Sequence, residues 1–484
     1  MDTTSTPPAL VLPTTPSLNH ARTTLHHTLP STPLGLDATL KHLESDIAPA
    51  VPASSVSPRY FGFITGGATP AARAADSLVT AWDYSVAVHL PAESIATEVE
   101  AAALDLLCDL LDFDPEVFTH RTFTTGATAS NVIGLTLGRD WVVEEAARRK
   151  GVEVSVTDHG LVKAMRLAGL DEIRVLSAMP HSSVAKAVSI AGLGRANIVD
   201  VARDGAPWRV DIKKLRAELG REGVGSIVCL GAGEVNTGYL DTAPEDVYAV
   251  RAACDEFGAW LHADGAFGLM ARILHPSTYP AIHRSYAEEL ADSITGDAHK
   301  LLNVPYDCGF FFSKHLALAS RMLANAAAYL TPPASSGPTV PSPLNIGIEN
   351  SRRFRALPVY ATLLAYGGSG YSEMVFRQIG LARRVAAWIE GSKGYELLPR
   401  GGERGDIFMI VLFRARDEEL DKSLARRINA TGRIYVSGTV WEGETAVRLA
   451  VANWQVEVER EGAVVEEVLS QVLDKYEEEK ASES

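Results

Sequence analysis

Between Arg121 and Lys314 short apolar runs alternate with helical stretches. The runs are Ile173–Leu176, Ile198–Val201, Ile227–Leu230, Trp260–His262 and Phe310–Phe312. Ser130–Arg149, Ser182–Leu193, Ile212–Leu219 and Pro244–Phe257 have helical patterning and fall between them. Strand–helix alternation at this spacing predicts an α/β fold, a mostly parallel sheet with helices on both faces. Ligands in such sheets sit at the carboxyl ends of the strands. Thr125, His181, Asp264 and Lys300 all fall just after strand-like runs.

Lys300 closes the stretch Asp292-Ser293-Ile294-Thr295-Gly296-Asp297-Ala298-His299-Lys300. A lysine at the end of a buried strand is costly as a charge and useful as an amine. Desolvation lowers its pKa and makes it a nucleophile toward an aldehyde. Alone, such a lysine is more often a surface residue, but three further stretches keep it company. In Trp260–Gly268 the carboxylate of Asp264 stands beside Gly265 and Ala266, which leave room for a flat ring. A carboxylate there can hold a pyridine nitrogen protonated. In Phe123–Asn131 a strand, a small-residue turn and a helix start present backbone N–H groups to a phosphate. In His181-Ser182-Ser183, after the strand-like Ile173–Ser177, an imidazole could lie flat on a ring face.

Together with Pro58-Arg59-Tyr60-Phe61-Gly62-Phe63, Asn236-Thr237-Gly238 and Ser351-Arg352-Arg353, these stretches resemble a known family in their order and spacing. It is the group II pyridoxal phosphate-dependent amino-acid decarboxylases (aromatic-L-amino-acid/tyrosine/glutamate decarboxylase-like), of fold-type I. The resemblance runs from about Pro58 to Trp454. It implies a homodimer, an amino-acid substrate and pyridoxal 5′-phosphate held by Lys300 as a Schiff base. Asp264 would keep the ring nitrogen protonated, with Ala266 beside it, and His181 would cover a ring face. Gly126, Ala127 and Thr128 would hold the phosphate, with a contact from Asp297 or His299. Tyr60, Phe61, Phe63 and Trp82 would be walls of the substrate pocket; ordinary aromatic packing is the alternative. Arg352 is a candidate for the substrate carboxylate, although two arginines on a helix are usually surface or structural. Tyr329 matches a tyrosine that relatives carry on a mobile loop and use as a proton donor. In those relatives tyrosine goes with decarboxylation and phenylalanine with aldehyde formation.

The implied activity is decarboxylation of an L-amino acid, aromatic ones among the candidates, to an amine and carbon dioxide. The alternatives are an oxygen-dependent aldehyde synthase or an aminotransferase-like enzyme on the same scaffold, and a non-catalytic dimeric relative. The last is disfavoured by the presence of Lys300, Asp264 and His181 together. Four departures from the family pattern involve five positions: Ser57 stands for a common His, Glu234 and Val235 for two hydroxyl residues, Leu301 for an aromatic residue, and Ala127 for the middle Gly of the phosphate turn. None removes a core catalytic group, but the first two touch substrate identity.

The 484 residues suffice for two or three packed regions around one large core. The expected division is a disordered arm over 1–35, a helical and substrate-lining segment over 36–100 that packs on the dimer partner, a large cofactor domain over 101–345 and a small α+β domain over 346–484. A hydrophobic share of 46% and a charged share of 22% are those of an ordinary soluble protein. The net charge of −15 argues against nucleic acid or an anionic membrane as partner. The four cysteines are scattered without metal-ligand spacing, which fits reduced core thiols in a cytoplasmic protein and no metal site. No signal-peptide pattern and no membrane-length apolar run is present in the sequence. The Pro/Ser/Gly-rich run 331–345 behind Tyr329 reads as a lid or a linker.

Overall fold

The strands of the main sheet are His120–Thr124 (β1), Glu172–Ser177 (β2), Ile198–Asp200 (β3), Val224–Gly231 (β6), Trp260–Asp264 (β7), Ser293–Gly296 (β8) and Gly309–Ser313 (β9); Ala202–Arg203 (β4) and Ala206–Val210 (β5) pair separately as a small ribbon. Their order across the sheet is β1-β9-β8-β7-β6-β2-β3. β9 runs antiparallel to both of its neighbours, and the remaining pairs are parallel. This computed structural model describes residues 10–239, 244–275, 277, 279, 288–325 and 340–483. The expected α/β architecture with a mostly parallel sheet is the one observed.

The chain divides into two compact units. One comprises 68–376 with 405–408 and holds the main sheet; the other comprises the chain up to Gly67 with 377–404 and 409–484. In the first unit the Ala127–Arg149 helix is embedded in the core, where Ile133, Leu137, Val142 and Val143 pack with Ile173, Val175, Ile227 and Trp260. Each such side chain contributes about 1.5–3 kcal/mol on full burial. Two glycines set how closely this helix approaches β7. A Cβ on Gly134 would come within 2.5 Å of His262, and one on Gly138 within 2.7 Å of Trp260.

The second unit carries Tyr395–Leu398 (β10), Ile410–Ala415 (β11), Ser437–Trp441 (β12) and Glu444–Ala450 (β13) in the antiparallel order β10-β11-β13-β12. The helices Glu418–Ala430 and Val458–Glu483 accompany this sheet. Two local expectations are corrected. Residues 15–24, expected within a disordered arm, form a helix that Thr14 caps through the Ser17 N–H. Within the segment over 36–100, expected to be helical, the alanine-rich Pro70–Trp82 is a helix capped by Thr69. Arg433–Val436, which reads from the sequence as a strand, is not one; the strand lies just after it, over Ser437–Trp441.

All four cysteines are buried free thiols, and burial pushes Cys108 and Cys254 up to about 12. Among the described residues no helix is long and apolar enough to cross a membrane, and no group of His, Cys, Asp or Glu could hold a metal ion.

Candidate active site

The carboxyl ends of β7 and β8 lie side by side, with Asp264 paired in register to Thr295. Past Gly296 the chain makes the short Ala298–Leu301 helix, which carries Lys300. Lys300 Nζ is 3.0 Å from Asp297 Oδ2, and the Asp297 side chain is almost wholly buried. The other oxygen, Asp297 Oδ1, accepts the Ala127 N–H at 3.0 Å. One carboxylate therefore ties the lysine to the N-terminus of the Ala127–Arg149 helix. His299 Nε2 lies 3.4 Å from Asp297 Oδ1, and its Nδ1 accepts the Cys308 N–H at 3.2 Å. Burial holds this imidazole below its ordinary pKa, against the pull of Asp297.

The turn before that helix is shaped by close backbone approach. Gly126 has φ 153°, and a Cβ there would meet His299 Cε1 at 3.2 Å. A Cβ on Gly309 would come within 2.6 Å of the Gly126 Cα. Thr124 Oγ1 accepts the Gly126 N–H, and Ser130 Oγ, 2.8 Å from Thr124 Oγ1, donates to the Phe310 carbonyl, so β1, β9 and the helix start are pinned together. Ala127 is buried and Thr128 half-buried.

Asp264 is half-buried at the end of β7. Its Oδ1 accepts the Ala266 N–H at 3.2 Å and its Oδ2 accepts from Asn131 Nδ2 at 2.9 Å. The same Nδ2 reaches Ser183 Oγ at 3.3 Å, and Asn131 Oδ1 lies 3.0 Å from His262 Nε2. His181 is the N-cap of the Ser182–Ile190 helix, exposed, with its Nδ1 2.7 Å from Ser183 Oγ. Asp264 and His181 are thus joined through Asn131 and Ser183. Sequence reasoning quoted both connecting residues but gave them no role. The available signal was a buried-type amide on the same helix face as Gly134 and Gly138.

The other candidates fall elsewhere. Arg352 is buried, donating to Glu100 Oε1 at 2.7 Å and to the Phe123 carbonyl at 2.9 Å, so two of its donors are engaged within the protein. Arg353 pairs with Asp76. Trp82 ends its helix with 56% of its surface exposed. Tyr60, Phe61 and Phe63 belong to the other unit. There Tyr60 stacks on Tyr435 at 4.5 Å, Phe61 is buried and Phe63 is exposed. Tyr329 lies outside the described residues. Of the departing positions, Glu234 is buried and its carboxylate accepts the N–H groups of Asn236 and Thr237, ordering that turn from within. Leu301 is buried, and Ser57 is buried and accepts the Arg59 N–H.

The donor set fits pyridoxal phosphate. A helix N-terminus behind a glycine whose φ and close His299 neighbour disfavour a side chain suits a phosphate. An amine suits the aldehyde, and a carboxylate with one donor on each oxygen retains lone pairs for a ring N–H. The family model described as "Pyridoxal-dependent decarboxylase conserved domain" matches residues 19–415. Tryptophan decarboxylase 1 of Oryza sativa subsp. japonica is 28% identical over 438 residues, 86% of this chain and 80% of that protein. L-2,4-diaminobutyrate decarboxylase of Acinetobacter baumannii is 29% identical over 365 residues, 72% of this chain and 67% of that protein. The crystal structure of Oryza sativa TDC with PLP and tryptamine superposes with a TM-score of 0.81 at 24% identity, covering 97% of this chain and 94% of that one. With most of its length matched by the family model, the chain belongs to the pyridoxal-dependent decarboxylase family and is a carboxy-lyase that works with pyridoxal 5′-phosphate.

Proposed function

We propose that the protein converts an L-amino acid with an aromatic side chain to its amine and carbon dioxide, with Lys300 as the residue that attaches the cofactor. The observation that carries this reading is the link from Lys300 Nζ through Asp297 to the Ala127 N–H, which sets an amine and a helix N-terminus on one carboxylate. When bound, pyridoxal phosphate supplies an electron sink for the bond that breaks at the α-carbon.

The chain's own groups would do the rest. Asp264 holds a proton on the ring nitrogen by its charge, and the Ala266 and Asn131 donors keep that carboxylate aimed. Gly126, Ala127 and Thr128 hold the phosphate with His299 beside them. Lys300 Nζ would hold the cofactor's aldehyde carbon and, as a free amine, would move a proton. His181 covers a ring face and excludes water from it. Tyr329 delivers the proton that replaces the carboxylate. Which α-bond breaks is decided by how the substrate carboxylate is oriented. An aromatic substrate is favoured over a diamino acid by the longer match to the tryptophan decarboxylase relative, 438 residues against 365.

The test offers the cofactor-loaded protein aromatic L-amino acids, L-glutamate and L-2,4-diaminobutyrate, with carbon dioxide, amine, aldehyde and peroxide all measured. Amine equal to carbon dioxide from an aromatic amino acid is expected. No carbon dioxide from any of them, or turnover of L-2,4-diaminobutyrate alone, overturns the substrate reading.

A further inference from the structure

Trp260, His262 and Asp264 alternate along β7 and so share one face of the strand. Asn131, Gly134 and Gly138 are spaced three and four apart and share one face of the facing helix. The two faces meet residue for residue: Gly138 lies on Trp260, Gly134 on His262, and Asn131 on Asp264. The absent glycine side chains bring the helix close enough for a fully buried amide to reach both polar groups of the strand.

The hydrogen bonds of this seam have one possible direction. Asp264 is a carboxylate and only accepts, so the Asn131 Nδ2 faces it and Oδ1 faces His262. His262 Nε2 must therefore carry the hydrogen that it donates to Asn131 Oδ1 at 3.0 Å. Its Nδ1 then accepts from Ser293 Oγ at 2.7 Å, and Ser293 Oγ accepts from Trp260 Nε1, a group that only donates, at 3.0 Å. Burial brings His262 down to about 4, so the ring stays neutral and keeps a single N–H. The second Asn131 N–H goes to Ser183 Oγ, and Ser183 offers both its N–H and its hydroxyl to His181 Nδ1.

We propose that Asn131 is a positioning residue for the reaction: anchored by neutral His262, it aims the Asp264 carboxylate and, through Ser183, ties His181 to the same frame. This rests on the proposed role of Asp264 and goes beyond it, since Asn131 itself touches no reacting atom. An acceptor in its place sets like charge beside Asp264 and turns that carboxylate from its ring partner.

Two measurements test this. The first is ¹⁵N-histidine NMR on the wild-type chain without cofactor, with His262 assigned by comparison with His262→Gln. A neutral ring protonated at Nε2 is expected. A proton on Nδ1 reverses the direction of the seam and overturns the proposal, whatever the activity. The second is Asn131→Asp in the holoenzyme. Outer partners of a buried charged group commonly carry roughly 10- to 100-fold in activity, so kcat is expected to fall by about that much with KM within about threefold. The pH titration of the cofactor's visible band is expected to shift as well. Wild-type kcat and an unmoved titration overturn the proposal. Should Asn131→Asp fail to fold, Asn131→Ser is held to the same split. A Lys300→Ala protein that still carries borohydride-reducible absorbance would refute the cofactor assignment instead, and leave the His262 result standing.

Discussion

Lys300 Nζ and Asp297 Oδ2 lie 3.0 Å apart on one turn, and that pairing separates the lysine's charge from its nucleophilicity. Lys300→Arg can keep an ion pair with Asp297, but a guanidinium stays protonated and cannot add to an aldehyde. Both Lys300→Arg and Lys300→Ala are therefore expected to lose borohydride-reducible visible absorbance and turnover, with Lys300→Arg retaining the wild-type unfolding midpoint. Normal turnover in purified Lys300→Ala would remove this lysine from the chemistry.

Asp264→Asn keeps the shape at the end of β7 and removes the charge. The amide has one accepting oxygen for two donors, so either the Ala266 N–H or Asn131 Nδ2 loses its acceptor as well. The expected cost is roughly 10³-fold in kcat/KM, about 4 kcal/mol of transition-state stabilisation. Unchanged kinetics with cofactor bound would mean that another group partners the ring nitrogen.

The parallel sheet was legible because strand–helix alternation is a long-range pattern carried by many residues. Lys300, Asp264, His181 and the Gly126 turn could be picked out as candidates because strand ends are where such a sheet concentrates polar groups. Asn131 was not, because its role depends on the register of a helix against β7, and a sequence without coordinates does not fix that register. The double role of Asp297 was hidden for the same reason: it joins residues 170 positions apart. β12 was misplaced by a few residues because Ser437-Gly438-Thr439 lacks apolar alternation, and cross-strand pairing with β13 decides it.

Arg352 and Glu100 form a buried pair, with side chains 1% and 5% exposed. Removing one member of such a pair strands the other, at a cost of about 3–5 kcal/mol. Arg352→Ala is therefore expected to lower unfolding free energy by that amount, with KM for the amino acid little changed in the protein that remains folded. A raised KM at undiminished stability would return Arg352 to the substrate site.

His120 is fully buried on β1, donates from Nε2 to the Ile346 carbonyl at 2.8 Å, and is brought by burial from 6.5 to about 4. Above pH 6.5 the imidazole is neutral folded or unfolded. As pH falls from 6.5 toward 4, the unfolded chain binds a proton that the folded chain refuses, so stability drops by about 1.4 kcal/mol per pH unit from this group. His120→Gln is expected to be less stable at pH 7.5 and to lose stability less steeply between pH 6.5 and 4.5. Denaturant midpoints at several pH values check this; parallel curves for the two proteins would assign the acid sensitivity to other groups, His262 first among them.

The proposed role of Tyr329 is to decide between amine and aldehyde. Once carbon dioxide has left, the electron pair on the α-carbon either takes a proton, giving the amine, or is oxidised by dioxygen, which is reduced to peroxide while the carbon ends as an aldehyde and its nitrogen as ammonia. A positioned phenol suits the first course, because it delivers a proton at short range. Phenylalanine has the same shape and no proton to give. Tyr329→Phe is therefore expected to lose amine product and gain oxygen-dependent aldehyde and peroxide, with cofactor affinity little changed. Oxygen uptake by the wild type in proportion to carbon dioxide released would make the protein an aldehyde synthase. A Tyr329→Phe protein that behaves as wild type would make Tyr329 a packing residue. The proton would then come from His181, whose Nδ1 is engaged by Ser183 and whose Nε2 is left as the position that bears a hydrogen. His181→Gln in the Tyr329→Phe background, followed by product analysis, would decide that case.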